Sequence, residues 1–133
     1  MILVDTSAWV EYDRATGSAV DARLSDHIAS GGREIGVSEP VLMEVLAGAR
    51  SDRQTEDLRR LLLSFSWLGI DVAADFEGAA RIYRRCRAGG ITPRGLVDCL
   101  IVAIALRTGS ALLTADGDLH RMASIVPMGI EPV

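Results

Sequence analysis

The sequence predicts an α/β fold of three layers, α/β/α, around a central and mostly parallel sheet of four to five strands. Two observations carry this reading. Short apolar runs such as Met1-Ile2-Leu3-Val4 and Ala111-Leu112-Leu113 alternate with helical stretches of crossover length, the pattern of βαβ units. Two of the helical stretches, Val41 to Ala49 and Leu96 to Leu106, are apolar nearly all round, which puts them against the core. Residues 1–133 are read as one domain, since a chain of this length buries roughly two-thirds of its unfolded surface and holds its own core.

Each element follows from period and punctuation. The first strand is Ile2 to Val4, followed by a short helix from about Ser7 to Tyr12 and an amphipathic one from about Ser18 to Ser30, stopped by Gly31 and Gly32. The second strand is Glu34 to Val37. Ser38 then stands at an N-cap position, with Glu39 and Pro40 in the first turn as the helix dipole and the missing proline N–H favour. Ser51 and Gln54 form a capping box for a surface helix whose Leu58, Leu61, Leu62 and Phe65 recur at helical spacing. A third strand is expected near Leu68 to Val72, then an amphipathic helix marked by Phe76, Ala79, Ala80, Ile82 and Tyr83 and ended by Gly89 and Gly90. The turn Thr92-Pro93-Arg94-Gly95 opens the helix that ends at Gly109. Ala111 to Thr114 form the fourth strand, a short helix follows Asp118, and a weak fifth strand is expected near Ser124 to Val126.

Composition narrows the function classes. No stretch reaches the ~18–20 apolar residues that span a bilayer, and the N-terminus has neither the basic region nor the apolar length of a signal sequence, so a cytosolic protein without a membrane partner is expected. Cys86 and Cys99 lack metal-ligand spacing and read as small core residues. His27 and His120 stand alone and read as non-catalytic. The net charge of -4 is not that of a generic nucleic-acid binder, yet all fourteen basic residues are arginine, and Arg81, Arg84, Arg85 and Arg87 crowd one helix. Guanidinium forks suit phosphate, which makes Arg84 and Arg85 candidate RNA contacts beside the plainer reading of a solvated face.

Carboxylates carry the chemical information. Asp5 closes the first strand, while Asp116 and Asp118 follow the fourth, so two strand tips deliver acids to the crevice where open α/β sheets bind ligands. Glu44 and Asp98 are lone acids in the two apolar helices. Such an acid costs several kcal/mol to bury ionised without compensation. Arg94 is close enough in sequence to pair with Asp98, but no basic residue stands near Asp5 or Glu44. Gathered round one crevice, Asp5, Glu44, Asp98 and Asp116 repel, titrate together, and are relieved by a divalent cation. An all-oxygen donor set suits Mg²⁺ or Mn²⁺ rather than zinc or copper. The matching chemistry is cation-dependent phosphodiester hydrolysis. Asp118 is read either as a further ligand, direct or through water, or as a helix cap. Thr6, Ser7 and Thr114 place hydroxyls beside the acids, where they can orient them.

The ordered set Asp5-Thr6-Ser7-Ala8-Trp9, Glu39-Pro40 leading to Glu44, Thr92-x-Arg94-x-x-x-Asp98-Cys99 and Thr114-x-Asp116-x-Asp118 resembles the PIN-domain ribonucleases, in particular VapC-type toxins of toxin-antitoxin pairs. The likeness spans the chain. It implies a catalytic quartet of Asp5, Glu44, Asp98 and Asp116, a metal set of Asp5, Asp98, Asp116 and Asp118, Thr6 or Ser7 holding the first acid, and Arg94 at the rim. It further implies a homodimer, a cognate VapB-type antitoxin that blocks the acids, a hetero-oligomer that binds operator DNA through the antitoxin, and cleavage of structured RNA such as tRNA or rRNA that arrests translation. Departures from the family pattern are Asp13, where an aromatic residue is common, and Leu119, where phenylalanine often stands.

Other enzymes that gather acids at strand tips fail on residues. A receiver domain and a haloacid-dehalogenase-like phosphatase each need a lysine, which this chain lacks, and no glycine-rich turn follows the first strand to cradle a phosphate. The alternative from another class is a catalytically weak module that keeps the scaffold and acts by binding an antitoxin and operator DNA.

Overall fold

The computed structural model describes residues 1–133. Three-residue strands β1 (Ile2–Val4), β2 (Ile35–Val37) and β4 (Ala111–Leu113), with the two-residue β3 (Ser66–Trp67), form one sheet in the order β3-β2-β1-β4. Every pairing is parallel, with Ile2 beside Ile35 on one side and beside Ala111 on the other. Consecutive strand residues point to opposite faces, and Leu3 with Val4, and Leu112 with Leu113, are all fully buried. Both faces of the sheet are therefore covered, which is the expected three-layer arrangement.

Seven helices supply the cover: α1 (Thr6–Asp13), α2 (Ala19–Ala29), α3 (Glu39–Ala47), α4 (Asp52–Leu63), α5 (Val72–Ala88), α6 (Leu96–Thr108) and α7 (Gly117–Met122). Helix α6 is the central one. Cys99, Ile101, Val102, Ala103, Ile104 and Ala105 are buried on it, which explains why its sequence is apolar all round. It ends at Gly109, whose φ of 65° is the left-handed conformation that glycine adopts without strain, and β4 starts two residues later. The α5–α6 pair is the most extensive helix contact, and across it Arg107 holds the buried carboxylate of Asp75 through Nε at 2.9 Å and Nη2 at 2.8 Å. Cys86 and Cys99 are both buried and free, as their helical neighbours suggested.

Three local expectations are corrected. The third strand is Ser66–Trp67 rather than Leu68 to Val72. Leu68 still donates its N–H to Val37, but Glu39 then captures the N–H of Ile70 with both oxygens, and Asp71 caps α5 by accepting from Ala74, so Val72 is already helical. The alternating Leu68, Ile70 and Val72 are half-buried or exposed and belong to the link between strand and helix. No strand forms at Ser124 to Val126, which is a turn after α7. The chain pairs with β4 further on, through a single parallel bridge between Ile130 and Leu112. His27, expected to be isolated, sits with Arg23 around Glu131 and ties that last segment down, with Nε2 3.2 Å from Glu131 and Arg23 Nε at 2.9 Å. No helix is long and apolar enough to cross a membrane.

Candidate active site

The C-terminal tips of β1 and β4 are joined by a polar ladder. Asp5 is the N-cap of α1, and its Oδ2 accepts from the Ser7 N–H at 3.2 Å, the Ser7 hydroxyl at 2.6 Å and the Thr114 hydroxyl at 3.0 Å. Both hydroxyls also accept in turn, Ser7 from the Ala115 N–H at 2.9 Å and Thr114 from the Asp116 N–H at 3.0 Å. These three bonds to Asp5 all fall on one oxygen, which leaves Oδ1 to other partners. Burial pushes the Asp5 carboxyl above the usual range even against these donors.

Glu44 reaches the same region from α3, where the Thr6 hydroxyl donates to its Oε1 at 2.7 Å. The division of labour between the hydroxyls differs from the expectation. Ser7 holds Asp5, and Thr6 holds Glu44. Adjacent residues in the first turn of α1 thus fix acids from two different elements.

Asp98 lies in the first turn of α6, not in the helix interior, so the N-terminal end of the helix dipole faces it. That is not enough to compensate it. Burial and then the charges of Asp5, Asp116 and Glu44 push its carboxyl up to about 6, while Arg94 pulls weakly the other way. The other three acids of the expected quartet therefore all act on Asp98.

Asp116 caps α7, its Oδ1 accepting from the Asp118 N–H at 2.9 Å. The cap is Asp116 rather than Asp118. Arg94 does not pair with Asp98: its Nη2 donates to Asp116 at 2.7 Å and its Nε to Asp118 at 2.6 Å. Arg121 takes the other oxygen of Asp118. The Arg94 guanidinium, with help from Arg121, holds the Asp118 carboxyl below the usual range. Asp118 is nearly buried and both its oxygens are engaged, so the structure places it as an anchor for two arginines. Arg121 was not singled out from the sequence, although its position three residues after Asp118 on one helix was a readable signal.

The donor set can be tested against a divalent cation. Only oxygen is offered, no hydrogen-bond donor satisfies Asp98, and three neighbouring negative charges raise its proton affinity. These are the conditions under which Mg²⁺ or Mn²⁺ is favoured. No three acidic, histidine or cysteine side chains stand close enough to form a closed ligand set. The carboxylates that act on Asp98 are thus neighbours in charge without forming a closed set.

Arg84 and Arg85 lie elsewhere. With Arg81, Arg87 and Ala88 they line a separate shallow cavity on α5 that includes none of the acids. Arg87 stacks over Tyr83 at 5.7 Å, and none of the four arginines is in an ion pair. The one hydrogen bond of the His120 ring is with the Thr114 carbonyl, at 3.2 Å, and neither histidine is bonded to Asp5, Glu44, Asp98 or Asp116.

Residues 2–125 match the family described as PIN domain. Over 125 residues the chain is 43% identical to the VapC ribonuclease Mb1587 of Mycobacterium bovis and to the ribonuclease VapC11 of Mycobacterium tuberculosis, covering 94% of this chain and 93% of each relative. The chain belongs to the VapC ribonucleases of the PIN-domain family. Its fold is similar to that of VapBC2 from Rickettsia felis, solved with a DNA fragment from its promoter, at a TM-score of 0.75 and 19% identity over 98% of both chains. It is also similar to VapC20 of Mycobacterium tuberculosis, a sarcin-ricin loop cleaving toxin, at a TM-score of 0.69 and 20% identity over 97% of this chain and 99% of that one. At these identities the two solved structures speak for the fold, and the 43% relatives for the VapC family.

Proposed function

We propose that this VapC-family protein is the toxin of a toxin-antitoxin pair and a Mg²⁺- or Mn²⁺-dependent endoribonuclease that hydrolyses phosphodiester bonds in structured RNA, tRNA or rRNA, and so arrests translation. The observation that carries the cation-dependent part is Asp98, an acid pushed up to about 6 by burial and by three other carboxylates. A crevice with that charge balance favours a divalent cation and repels a polyanion until one is bound.

A bound cation supplies positive charge to the phosphate oxygens and acidifies a water near neutral pH. The chain's own residues prepare the geometry. Ser7 and Thr114 fix Asp5 through Oδ2, and Thr6 fixes Glu44, so two acids from different elements are held before substrate arrives. Asp98, which burial and three neighbouring carboxylates leave uncompensated, would serve as a ligand for the cation. Arg94, 72% exposed and anchored on Asp116 and Asp118, presents a guanidinium at the rim where a phosphate approaches. Arg84 and Arg85 extend the contact to RNA at a distance from the scissile bond.

The relatives solved as toxin-antitoxin complexes support a VapB-type antitoxin as the regulating partner, with promoter DNA bound by the hetero-oligomer. A homodimer of the chain is part of the same reading. The test is incubation of total bacterial RNA with purified, antitoxin-free protein and Mg²⁺ or Mn²⁺, with new RNA ends mapped by sequencing. Discrete ends that vanish with EDTA and in Asp98→Asn are expected. Ends indistinguishable from those in the mutant would leave a binding module that engages antitoxin and operator without cutting.

A further inference from the structure

Glu44, one of the four acids, also forms a wall of a cavity of about 310 Å³ between α1, α3 and α4. Its volume is at the small end of the range for ligand pockets, about 300–1,000 Å³. The floor is apolar, since Trp9, Val45 and Leu58 line it and are buried. The rim is charged, with Asp13, Arg14 and Arg50 all exposed. Neither guanidinium is in an ion pair. Gln54 links the two sides of the rim: its Oε1 accepts from the Arg50 N–H at 2.8 Å, and its Nε2 donates to Asp13 Oδ2 at 3.3 Å. Asp13 Oδ1 is left to other partners.

An apolar floor under a rim of both signs restricts the occupant. An aliphatic side chain would cover the floor and leave the rim charges unused. A guanidinium or ammonium would meet Arg14 and Arg50 as like charges, and a carboxylate would meet Asp13 and Glu44. A nucleobase uses both parts, because its faces are apolar and its edges carry neutral donors and acceptors. Among the bases guanine fits this rim. Its O6 and N7 accept from an arginine fork, while its N1–H and N2 amine donate to a carboxylate. Adenine turns a donor toward the arginines and a lone pair toward the carboxylate.

We propose that this cavity is a base subsite that takes an unstacked guanine of the RNA, with Asp13 and the two arginines reading its edges. Because Glu44 belongs to both the crevice and the cavity, a base seated here is part of a nucleotide at or beside the scissile bond. The proposal rests on the ribonuclease reading above and gives that site a base preference.

The experiment measures, by fluorescence anisotropy, the binding of short uridine strands that carry one guanosine, adenosine or 7-deazaguanosine. The parent protein carries Asp98→Asn, so that the strands stay whole, and Asp13→Asn or Gly48→Leu is added to it. Gly48 also lines the cavity, at a φ of -82°, and a Cβ there meets only the carbonyl oxygens of Val45 at 3.6 Å and Glu44 at 3.7 Å. A leucine at this position therefore leaves the backbone unstrained and narrows the cavity, and urea unfolding of both variants should match the parent. The guanosine strand should bind the parent about tenfold more tightly than the other two, and each variant should bring the three strands together. Equal binding of the three strands by the parent would overturn the proposal and leave the cavity to a protein partner. A guanosine preference that survives in both variants would overturn it as well. Cleavage by wild type without a guanosine preference removes the base subsite alone, whereas a preference without cleavage supports the subsite and removes the ribonuclease reading alone.

Discussion

Asp98→Asn should make the cation-free protein more stable while removing its activity. In the folded chain the Asp98 carboxyl is raised from 3.8 to about 6 by burial and by Asp5, Asp116 and Glu44. At neutral pH that difference corresponds to roughly 3 kcal/mol of ionisation penalty. The dipole of α6 returns about 0.3–1 kcal/mol for a charge in its first turn, which the amide forfeits, and relaxation of the crevice reduces the penalty further. A net gain of about 1–2 kcal/mol remains, or roughly 5 °C in Tm for a domain of this size. The sign with pH is fixed by the raised value. The folded state binds more protons than the unfolded one between about 4 and 6, so wild-type stability falls as pH rises through that window and levels off above it. Urea unfolding in EDTA should show the mutant ahead at pH 7.5 and the two proteins close together at pH 4. Saturating Mg²⁺ should reverse the order, because a cation at a hundred times its Kd stabilises wild type by about 2.7 kcal/mol and the mutant by less. A mutant that is less stable than wild type in EDTA at pH 7.5, by the same margin at pH 4, would refute the reasoning.

Three further outcomes follow from separate contacts. Arg84→Ala with Arg85→Ala should weaken RNA binding and reduce the slope of log affinity against log salt by about 1–2, and an unchanged slope would make the α5 arginines a solvated face. Arg107→Ala leaves Asp75, 2% exposed, without its ion-pair partner and should cost about 3–5 kcal/mol in urea unfolding, with a loss under about 1 kcal/mol showing that the α5–α6 pair does not depend on it. Arg94→Ala removes a guanidinium that depresses the Asp118 carboxyl. Stability from that depression is present above the ordinary carboxylate range and is lost as pH falls through the folded value, so the variant should show a shallower acid limb in a pH series of unfolding curves, and an unaltered limb would mean that Arg121 alone suffices.

How far the sequence reveals this structure depends on the range of the interaction concerned. Strand tips ending in Asp5 and in Thr114 to Asp116 were readable because an apolar run stopped by an acid is a local pattern. Helix α6 was readable because burial on all sides leaves an apolar sequence. The third strand was misplaced because Leu68, Ile70 and Val72 alternate like a strand, while the forces that end it, the Glu39 carboxylate on the Ile70 N–H and the Asp71 cap, are a distant contact and a boundary signal that competes with alternation. Pairing of Ile130 with Leu112 is a single bridge between distant segments and has no local mark.

The site divides in the same way. That Asp5, Glu44, Asp98 and Asp116 belong together could be argued from two strand tips that end in acids, two apolar helices with a lone acid each, and the lack of a basic neighbour at Asp5 and Glu44. Which group holds which acid could not. Arg94 precedes Asp98 by four residues, yet α6 begins between them and the side chain goes instead to Asp116 and Asp118 at the start of α7. Thr6 and Ser7 are neighbours with equivalent hydroxyls, and only the helix that starts there sends one to Glu44 and the other to Asp5. Ser38 looked like an ordinary cap because its position and residue type fit one, and only the missing hydrogen bond sets it apart.

The central claim is that one acidic crevice both binds the cation and cuts RNA. Its most direct test is a single Mn²⁺ titration of wild type and Asp98→Asn, in which bound Mn²⁺ and the rate of cleavage of a mapped RNA are read from the same samples. Cleavage that rises with site occupancy in wild type, with both lost in the mutant, is the predicted result. Cleavage that persists in EDTA, or a mutant that binds Mn²⁺ as wild type does, would contradict the account.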